Sequence, residues 1–156
     1  MHPLPNEVVV RFMPNLLRWE GKSAGFFLFG TKYGMLVVTT ERLLFLSTGQ
    51  SGITGQFNVI SDAFSGKNVS VRDIDLSALG NEGSLNVPLS EVESMTVHRR
   101  WDFASYISLR LRSHTGDVRE FAFMSKVGLN RNSMLGIAEA CGHAKMQQAA
   151  RTGAAG

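Results

Sequence analysis

The sequence lacks the residues that disulfide bonds and metal sites require. Cys141 is the single cysteine among 156 residues, which excludes an intrachain disulfide framework and leaves no CxxC pair for zinc. The four histidines do not have the spacing of metal ligands, so we expect no metal site and no cofactor. A chain without disulfides suits a reducing compartment, and we predict a cytoplasmic location.

Long apolar runs and a strong excess of charge are absent as well. No run approaches the roughly 18 apolar residues of a membrane span, and the N-terminus has no basic signal region. Sixteen basic and 13 acidic side chains give a formal charge of +3, and the longest basic run is His98-Arg99-Arg100. Nucleic-acid-binding proteins are usually more basic, so we expect no nucleic-acid partner.

What is present is typical of one globular domain. A hydrophobic content of 44% is enough for one core, and 156 residues leave little room for a second. We therefore predict a single domain over residues 1–156. The sequence has no P-loop and no HExxH motif, so we expect no enzyme.

Alternation of apolar and polar residues predicts a β-hairpin between residues 105 and 124. If Leu109 faces Phe121 across the hairpin, the connection is a three-residue loop. Gly116 then takes the left-handed conformation that a G1 bulge requires. The hydrophobic pattern and the turn chemistry thus predict the same register.

Further strands are predicted upstream. Residues 34–47 contain two apolar runs joined by a short polar link, which predicts a second hairpin. Gly25–Gly30 and Val92–Arg99 are further strand candidates. From about 48 to 86, glycine and small polar residues predict a variable loop, in which residues 57–64 and 69–74 are candidates for a short helix and a short strand.

Two arginines are assigned to the fold. The register of the C-terminal hairpin pairs Arg110 with Glu120 on the exposed face. Arg42 follows the turn of the first hairpin, where we expect its head to pair with Glu41 or another carboxylate. Neither arginine is placed in the binding site.

A C-terminal helix of roughly 16 to 20 residues is predicted by apolar spacings of three and four. Asn130 or Asn132 is the expected N-cap, and residues 150–156 are expected to form a frayed tail. Cys141 and His143 are two positions apart, so they point in different directions and cannot share a proton. We expect Cys141 to be a buried residue of the apolar stripe. The stripe consists of Met134, Ile137, Ala138, Cys141, Ala144 and Lys145.

Two segments occur in an order that resembles the PH-like superfamily, in particular GRAM-type and bacterial PH-like domains. Residues 34–47 are similar to a signature in which a glycine-led strand ends in threonine, turns, and resumes as Arg-Leu-apolar-Phe. Residues 87–95, which begin Val-Pro-Leu, are similar to the next segment of that family. The likeness covers roughly Gly25 to Gln148. It implies an α+β, mainly β fold: a PH-like barrel of about seven antiparallel strands closed by one C-terminal α-helix.

The candidate ligand-binding residues are Arg99, Arg100, Trp101, Lys22 and Lys32. The two arginines lie in a predicted loop, where guanidinium groups hold phosphate and Trp101 stacks on a ligand or enters a membrane interface. Alternatively, Trp101 covers one end of the barrel and the arginines are solvated. The resemblance implies that early loops, here those with the two lysines, help to form an anionic-ligand pocket; exposed, solvated lysines are the alternative.

The leading hypothesis is a non-catalytic module that binds an anionic lipid headgroup or a membrane surface, peripherally attached from the cytoplasm. The resemblance carries it, because it implies a binding site for lipid headgroups or peptides near one open end of the barrel. The alternative is a protein-protein interaction or self-assembly domain without a lipid ligand. That domain would use exposed sheet edges or the long middle loop.

Overall fold

The computed structural model describes residues 6–20, 32–49, 83–99, 105–125 and 131–154. They form seven antiparallel strands and a C-terminal α-helix, which confirms the predicted fold class. The strands are β1 (Val9–Glu20), β2 (Lys32–Thr39), β3 (Arg42–Gly49), β4 (Leu85–Pro88), β5 (Val92–Arg99), β6 (Ser105–Arg112) and β7 (Val118–Ser125). A 3₁₀ helix, Leu89–Glu91, joins β4 to β5, and α1 spans Arg131–Ala154.

The seven strands form one sheet in the order β4-β3-β2-β1-β7-β6-β5. Its two edges, β4 and β5, are not hydrogen-bonded to each other, so the sheet is an open barrel rather than a closed ring. Buried apolar side chains from every strand and from α1 meet in one core. Helix α1 packs against β5, β1 and β2.

The C-terminal hairpin has the predicted register. Leu109 pairs with Phe121, and Arg110 pairs with Glu120 on the exposed face, with 3.6 Å between Nη1 and Oε1. Gly116 has a φ of +92°, and its N–H donates to the Ser113 carbonyl at 2.9 Å. Turn chemistry and hydrophobic register therefore agree, as expected for a G1-bulge loop.

The predicted hairpin over residues 34–47 is confirmed as β2 and β3, and the strand Val92–Arg99 as β5. The Thr39 hydroxyl accepts hydrogen bonds from the N–H groups of Glu41 (3.1 Å) and Arg42 (2.9 Å), which closes the tight turn of the hairpin. The predicted strand at Gly25–Gly30 and both candidate elements between residues 57 and 74 lie outside the described residues.

Sequence patterns did not predict β1. Its register against β2 shifts between Met13 and Leu16, so the buried positions change from Val9 and Met13 to Leu16 and Arg18. A shift of this kind breaks the two-residue period by which a strand is recognised. The short strand β4 was also missed, because it has four residues and ends in proline.

The apolar stripe of the helix is confirmed, since Met134, Ile137, Cys141 and Ala144 are all buried. Burial raises the pKa of the Cys141 thiol to about 11, in keeping with a structural side chain. No helix in the described part of the chain is long and apolar enough to cross a membrane.

Both ends of α1 differ from prediction. The helix begins at Arg131, so Asn132 lies inside its first turn and is not the N-cap; Asn130 lies outside the described residues. At the other end the helix continues to Ala154, through residues expected to fray. Contacts explain the extra turn: Arg151 Nη2 donates to the Thr40 carbonyl at 3.0 Å, and the Thr152 hydroxyl donates to the Gln148 carbonyl at 3.1 Å.

Candidate functional site

Of the predicted ligand residues, the structure describes Lys32 and Arg99, and these two do not lie together. Lys32 begins β2 and pairs with Arg18 of β1, whereas Arg99 is exposed at the end of β5 and pairs with Ser105 of β6. Strands β1, β7 and β6 lie between β2 and β5. Four interstrand spacings correspond to about 19 Å along the sheet.

Strand direction separates the same two regions. Three successive antiparallel pairings relate β1 to β5, so these strands run in opposite directions. The chain therefore leaves β1 and β5 at opposite ends of the sheet. Lys22, which follows β1, and Arg100 and Trp101, which follow β5, lie outside the described residues, and their roles stay predictions.

The segment after β1 reads Gly21-Lys22-Ser23-Ala24-Gly25 and so has the letters of the GxSxG nucleophile motif. In hydrolases this motif forms a sharp turn from a strand into a helix. The described elements before and after the segment are both strands, β1 and β2, paired antiparallel. The letters alone therefore do not support a hydrolase.

Arg18, which sequence patterns did not single out, has unusual surroundings. It lies on β1, and only 7% of its surface is exposed. Its guanidinium carbon lies 5.0 Å from the ring centre of Phe121 and 5.7 Å from that of Phe45. Its Nε is buried without a hydrogen-bond partner, and no described carboxylate forms an ion pair with it. Arg18 is thus a buried cation held by aromatic rings.

Burying this cation is unfavourable unless something compensates. Desolvation lowers the pKa of Arg18, while the nearby Glu20 carboxylate acts in the opposite direction. Each cation–π contact stabilises the fold by about 0.5–2 kcal/mol, whereas a buried N–H without an acceptor destabilises it by about 1–3 kcal/mol. The rings therefore compensate for part of the cost and leave Nε without an acceptor.

A second guanidinium lies on the same aromatic ring. The Arg119 guanidinium carbon is 4.8 Å from the ring centre of Phe121, and its Nε donates to Glu20 Oε1 at 3.0 Å. Two arginines and one carboxylate give this group one net positive charge. We call it the Arg18 cluster: Arg18, Glu20, Phe45, Arg119 and Phe121.

Strand pairing sets the position of the Arg18 cluster. Glu20 pairs with Phe121, so the cluster lies at the end of the sheet where β1 ends and β7 begins. Gly34 leaves space for one of its rings, because a Cβ there would lie 2.7 Å from Phe45 Cζ. The register shift in β1 turns Arg18 toward the core side. Because the shift breaks the alternation of apolar and polar residues, the sequence pattern did not predict that Arg18 is buried.

Arg42 is buried in a different way. Its Nε lies 2.8 Å from Glu7 Oε1, and its Nη2 donates to Glu7 Oε2 at 3.1 Å. The Thr39 hydroxyl also donates to Glu7 Oε1 at 2.7 Å. The predicted structural role of Arg42 is confirmed, and its carboxylate partner is Glu7 rather than Glu41.

A polar depression at the start of β5 is lined by charges of both signs. The Arg112 side chain donates to Glu93 Oε1 at 2.8 Å and lowers the pKa of that carboxyl, and Glu91 lies 3.7 Å from His114 Nδ1. These groups pair with one another at the exposed surface. We therefore interpret the depression as a salt-bridged surface and not as a ligand site.

A solved PH domain has a similar fold. The Vps36 N-terminal PH domain matches with a TM-score of 0.54 and 10% identity, over 91% of this chain and 81% of that one. The C-terminal domain of an unknown protein from Leishmania infantum matches with a TM-score of 0.40 and 12% identity, over 85% and 81%. No protein-family model and no curated protein matches the sequence. The first match confirms the predicted PH-like fold; the GRAM-type assignment stays a prediction.

Proposed function

From this PH-like fold, we propose that the protein is a non-catalytic binding module whose Arg18 cluster holds a phosphate group, as a lipid headgroup or a soluble phosphate ester presents it. The observation that carries the proposal is Arg18 itself, a buried guanidinium whose Nε has no hydrogen-bond partner among the described residues. A buried arginine without a carboxylate partner is rare unless a bound anion neutralises its charge and accepts its hydrogen bonds.

Phosphate chemistry fits this site. A guanidinium donates in a planar fork that matches two phosphate oxygens, and such charge-assisted bonds are strong. The aromatic rings of Phe45 and Phe121 exclude water and lower the local dielectric, which strengthens the attraction. Because Arg18 is already desolvated in the folded protein, the ligand does not bear that cost.

Predicted ligand residues also support this end of the sheet. Lys32 is directly opposite Arg18 in the β1–β2 ladder, and Lys22 follows the end of β1 by two residues. Arg99 ends β5 at the other end of the sheet, so the predicted Arg99-Arg100-Trp101 group is left out of the proposed phosphate site. Two of the five residues predicted from sequence therefore stay in the proposal, together with Arg18.

The chemistry of the Arg18 cluster favours binding over catalysis. Guanidinium and phenyl groups are neither nucleophiles nor general bases at neutral pH. Its one carboxylate, Glu20, accepts a hydrogen bond from Arg119. The cluster can neutralise an anion but has no group poised to attack it.

Co-sedimentation with phosphatidylcholine vesicles, with and without an anionic phospholipid, tests the proposal. Arg18→Met should weaken binding to anionic vesicles about tenfold or more, because a hydrogen bond to a charged group contributes about 1.5–3 kcal/mol. Arg18→Lys should retain part of it. Arg151→Met, which removes an exposed arginine from α1, is the matched control and should bind like the wild type.

Titration calorimetry with inorganic phosphate and glycerol phosphate separates the two sources of the ligand. Binding to both soluble anions and to vesicles indicates the phosphate itself, whereas binding to vesicles alone indicates a lipid headgroup at a membrane surface. The double change Arg99→Ala with Arg100→Ala should have little effect. If Arg18→Met bound anionic vesicles as tightly as Arg151→Met, the proposal would be wrong.

A further inference from the structure

Strand β5 is an edge of the sheet, and no strand in the described part of the chain pairs with its outer side. Every second residue of an edge strand directs its N–H and C=O groups outward, ready to pair with another strand. β5 has eight residues, and five of them, Glu93, Ser94, Thr96, His98 and Arg99, are exposed. It is therefore long enough for strand addition.

The side chains of β5 are arranged so that the strand complements itself. Met95 and Val97 are half-buried on the face that packs against the core. Glu93 lies near the start of the strand, and Arg99 lies at its end. Two copies in antiparallel orientation, with a two-fold axis at Thr96, place Met95 of each beside Val97 of the other.

The same orientation keeps like charges apart. It brings Arg99 of each copy toward Glu93 of the other, whereas parallel pairing sets arginine against arginine. Glu93 already accepts a hydrogen bond from Arg112 through Oε1 and pairs with Arg110 Nε through Oε2. A carboxylate has about four lone-pair sites, so it can still accept another guanidinium. Arg99 has no ion pair with a described carboxylate.

A groove beside β5 has room for one side chain of the second strand. A cavity of about 70 Å³ lies between the first half of β5 and α1, and Lys145 Nζ donates to the Val92 carbonyl at one end of it. The helix side is formed by Ala138, Cys141 and Gly142. A Cβ on Gly142 would meet nothing within 4 Å. Small residues thus leave space where the two-fold axis puts Val97 of the second copy.

We propose that the protein forms a two-fold dimer in which β5 pairs antiparallel with β5 of a second copy, and Val97 of each copy enters the groove between β5 and α1 of the other. The interface uses the sheet edge and one face of the helix, so it is independent of the Arg18 cluster. The occupant is a second copy because charge, apolar pairing and two-fold symmetry agree in one register.

Two glycines of α1 provide a matched test. Gly142→Leu fills the groove, whereas Gly153→Leu makes the same change in the same helix, where a Cβ also meets nothing within 4 Å. Both changes replace glycine by a better helix former, so both variants should fold with an unchanged or raised Tm. The full-length chains are compared by sedimentation equilibrium over a range of concentrations.

The wild type and Gly153→Leu should both sediment as dimers, and Gly142→Leu should raise the dimer dissociation constant about tenfold or more. Arg99→Glu should also weaken the dimer, and added salt should reduce that effect because it screens the new repulsion from Glu93. This second variant keeps the test decisive if Gly142→Leu does not fold.

Two results would overturn the dimer. The first is a wild-type chain that stays monomeric at its highest soluble concentration, which would leave the edge to a segment of another protein. The second is a wild-type dimer whose dissociation constant neither Gly142→Leu nor Arg99→Glu changes. Protection of residues 94–98 from hydrogen exchange, rising with protein concentration, would support the proposed register.

Discussion

Arg42 and Arg18 are both more than nine-tenths buried, yet their surroundings differ in kind. Arg42 meets the two oxygens of Glu7, which is itself buried, and Thr39 completes the network. Arg18 meets two aromatic rings and has no described carboxylate partner. Among the described residues, a buried carboxylate neutralises the charge of Arg42, and none pairs with Arg18.

This difference separates an element of the fold from a candidate site. The Arg42 pair joins the segment before β1 to the turn between β2 and β3, so it contributes to the native connectivity. Arg18 contributes a cation whose burial is compensated only in part, by two aromatic rings and the nearby Glu20 carboxylate. Removing the counter-charge is therefore costly at Arg42, whereas removing the charge is favourable at Arg18.

The largest effect is expected for Glu7→Gln. It leaves the Arg42 guanidinium buried without its counter-charge, which should lower the free energy of unfolding by about 3–5 kcal/mol. Urea denaturation measures this loss. Glu20→Gln breaks an exposed pair with Arg119 and removes a carboxylate near Arg18, and it should cost less than about 1 kcal/mol. Equal losses of unfolding free energy in Glu7→Gln and Glu20→Gln would contradict the idea that the buried pair contributes more to stability than the exposed one.

Gly34→Ala should have the next largest effect. The new Cβ would overlap the Leu46 carbonyl oxygen and lie 2.7 Å from Phe45 Cζ, so the strand and the ring must move. Overpacking of this kind costs about 1–3 kcal/mol. Because Phe45 is one of the rings over Arg18, phosphate binding should also weaken. Gly142→Ala, at an open helical position, should have the opposite sign in thermal unfolding.

Arg18→Met should raise the free energy of unfolding by about 0–2 kcal/mol, since an apolar chain of similar length replaces a charge whose burial is compensated only in part. Arg42→Met is the control, and it should destabilise the protein because it leaves the buried Glu7 carboxylate without its cationic partner. Chemical denaturation of both variants compares the two sites directly. Destabilisation by Arg18→Met as large as that by Arg42→Met would show that Arg18 serves the fold.

The smallest effect concerns an exposed pair. The hydrogen bond from Arg112 lowers the pKa of Glu93, so the pair stabilises the fold above the ordinary glutamate pKa. That contribution is lost as the pH falls through the lowered pKa of the folded state. Arg112→Met should therefore make the acid side of a Tm-against-pH curve slightly flatter. An unchanged curve would mean that solvent screens the pair completely.

Much of the fold could be predicted because its signals are local. The loop at Gly116 and the pairing of Leu109 with Phe121 involve residues close in sequence, where turn chemistry and alternation limit the register. The helical stripe through Cys141 is equally local. These elements were predicted correctly from a few adjacent residues each.

The site depended on information that adjacent residues do not hold. In the sequence, Arg18 looks like a solvated surface residue. Only the register shift in β1 turns it toward Phe121, which lies more than a hundred positions later in the chain. The partner of Arg42 lies 35 positions earlier in the chain. Patterns in a single sequence do not reveal such distant pairs, and the resemblance to PH-like domains implies ligand residues in loops rather than on β1.

The place of β1 in the sheet has a consequence for how the chain folds. β1 lies between β2 and β7, and its ladder with β7 joins residues such as Leu16 and Ser125. Strands β2 and β3, like β6 and β7, are neighbours in sequence and can pair early, but the β1–β7 ladder must close a loop of about a hundred residues. We therefore expect the joining of the two halves of the sheet to be the slow, entropy-limited step of folding, with the core-facing side of each half exposed until β1 is in place.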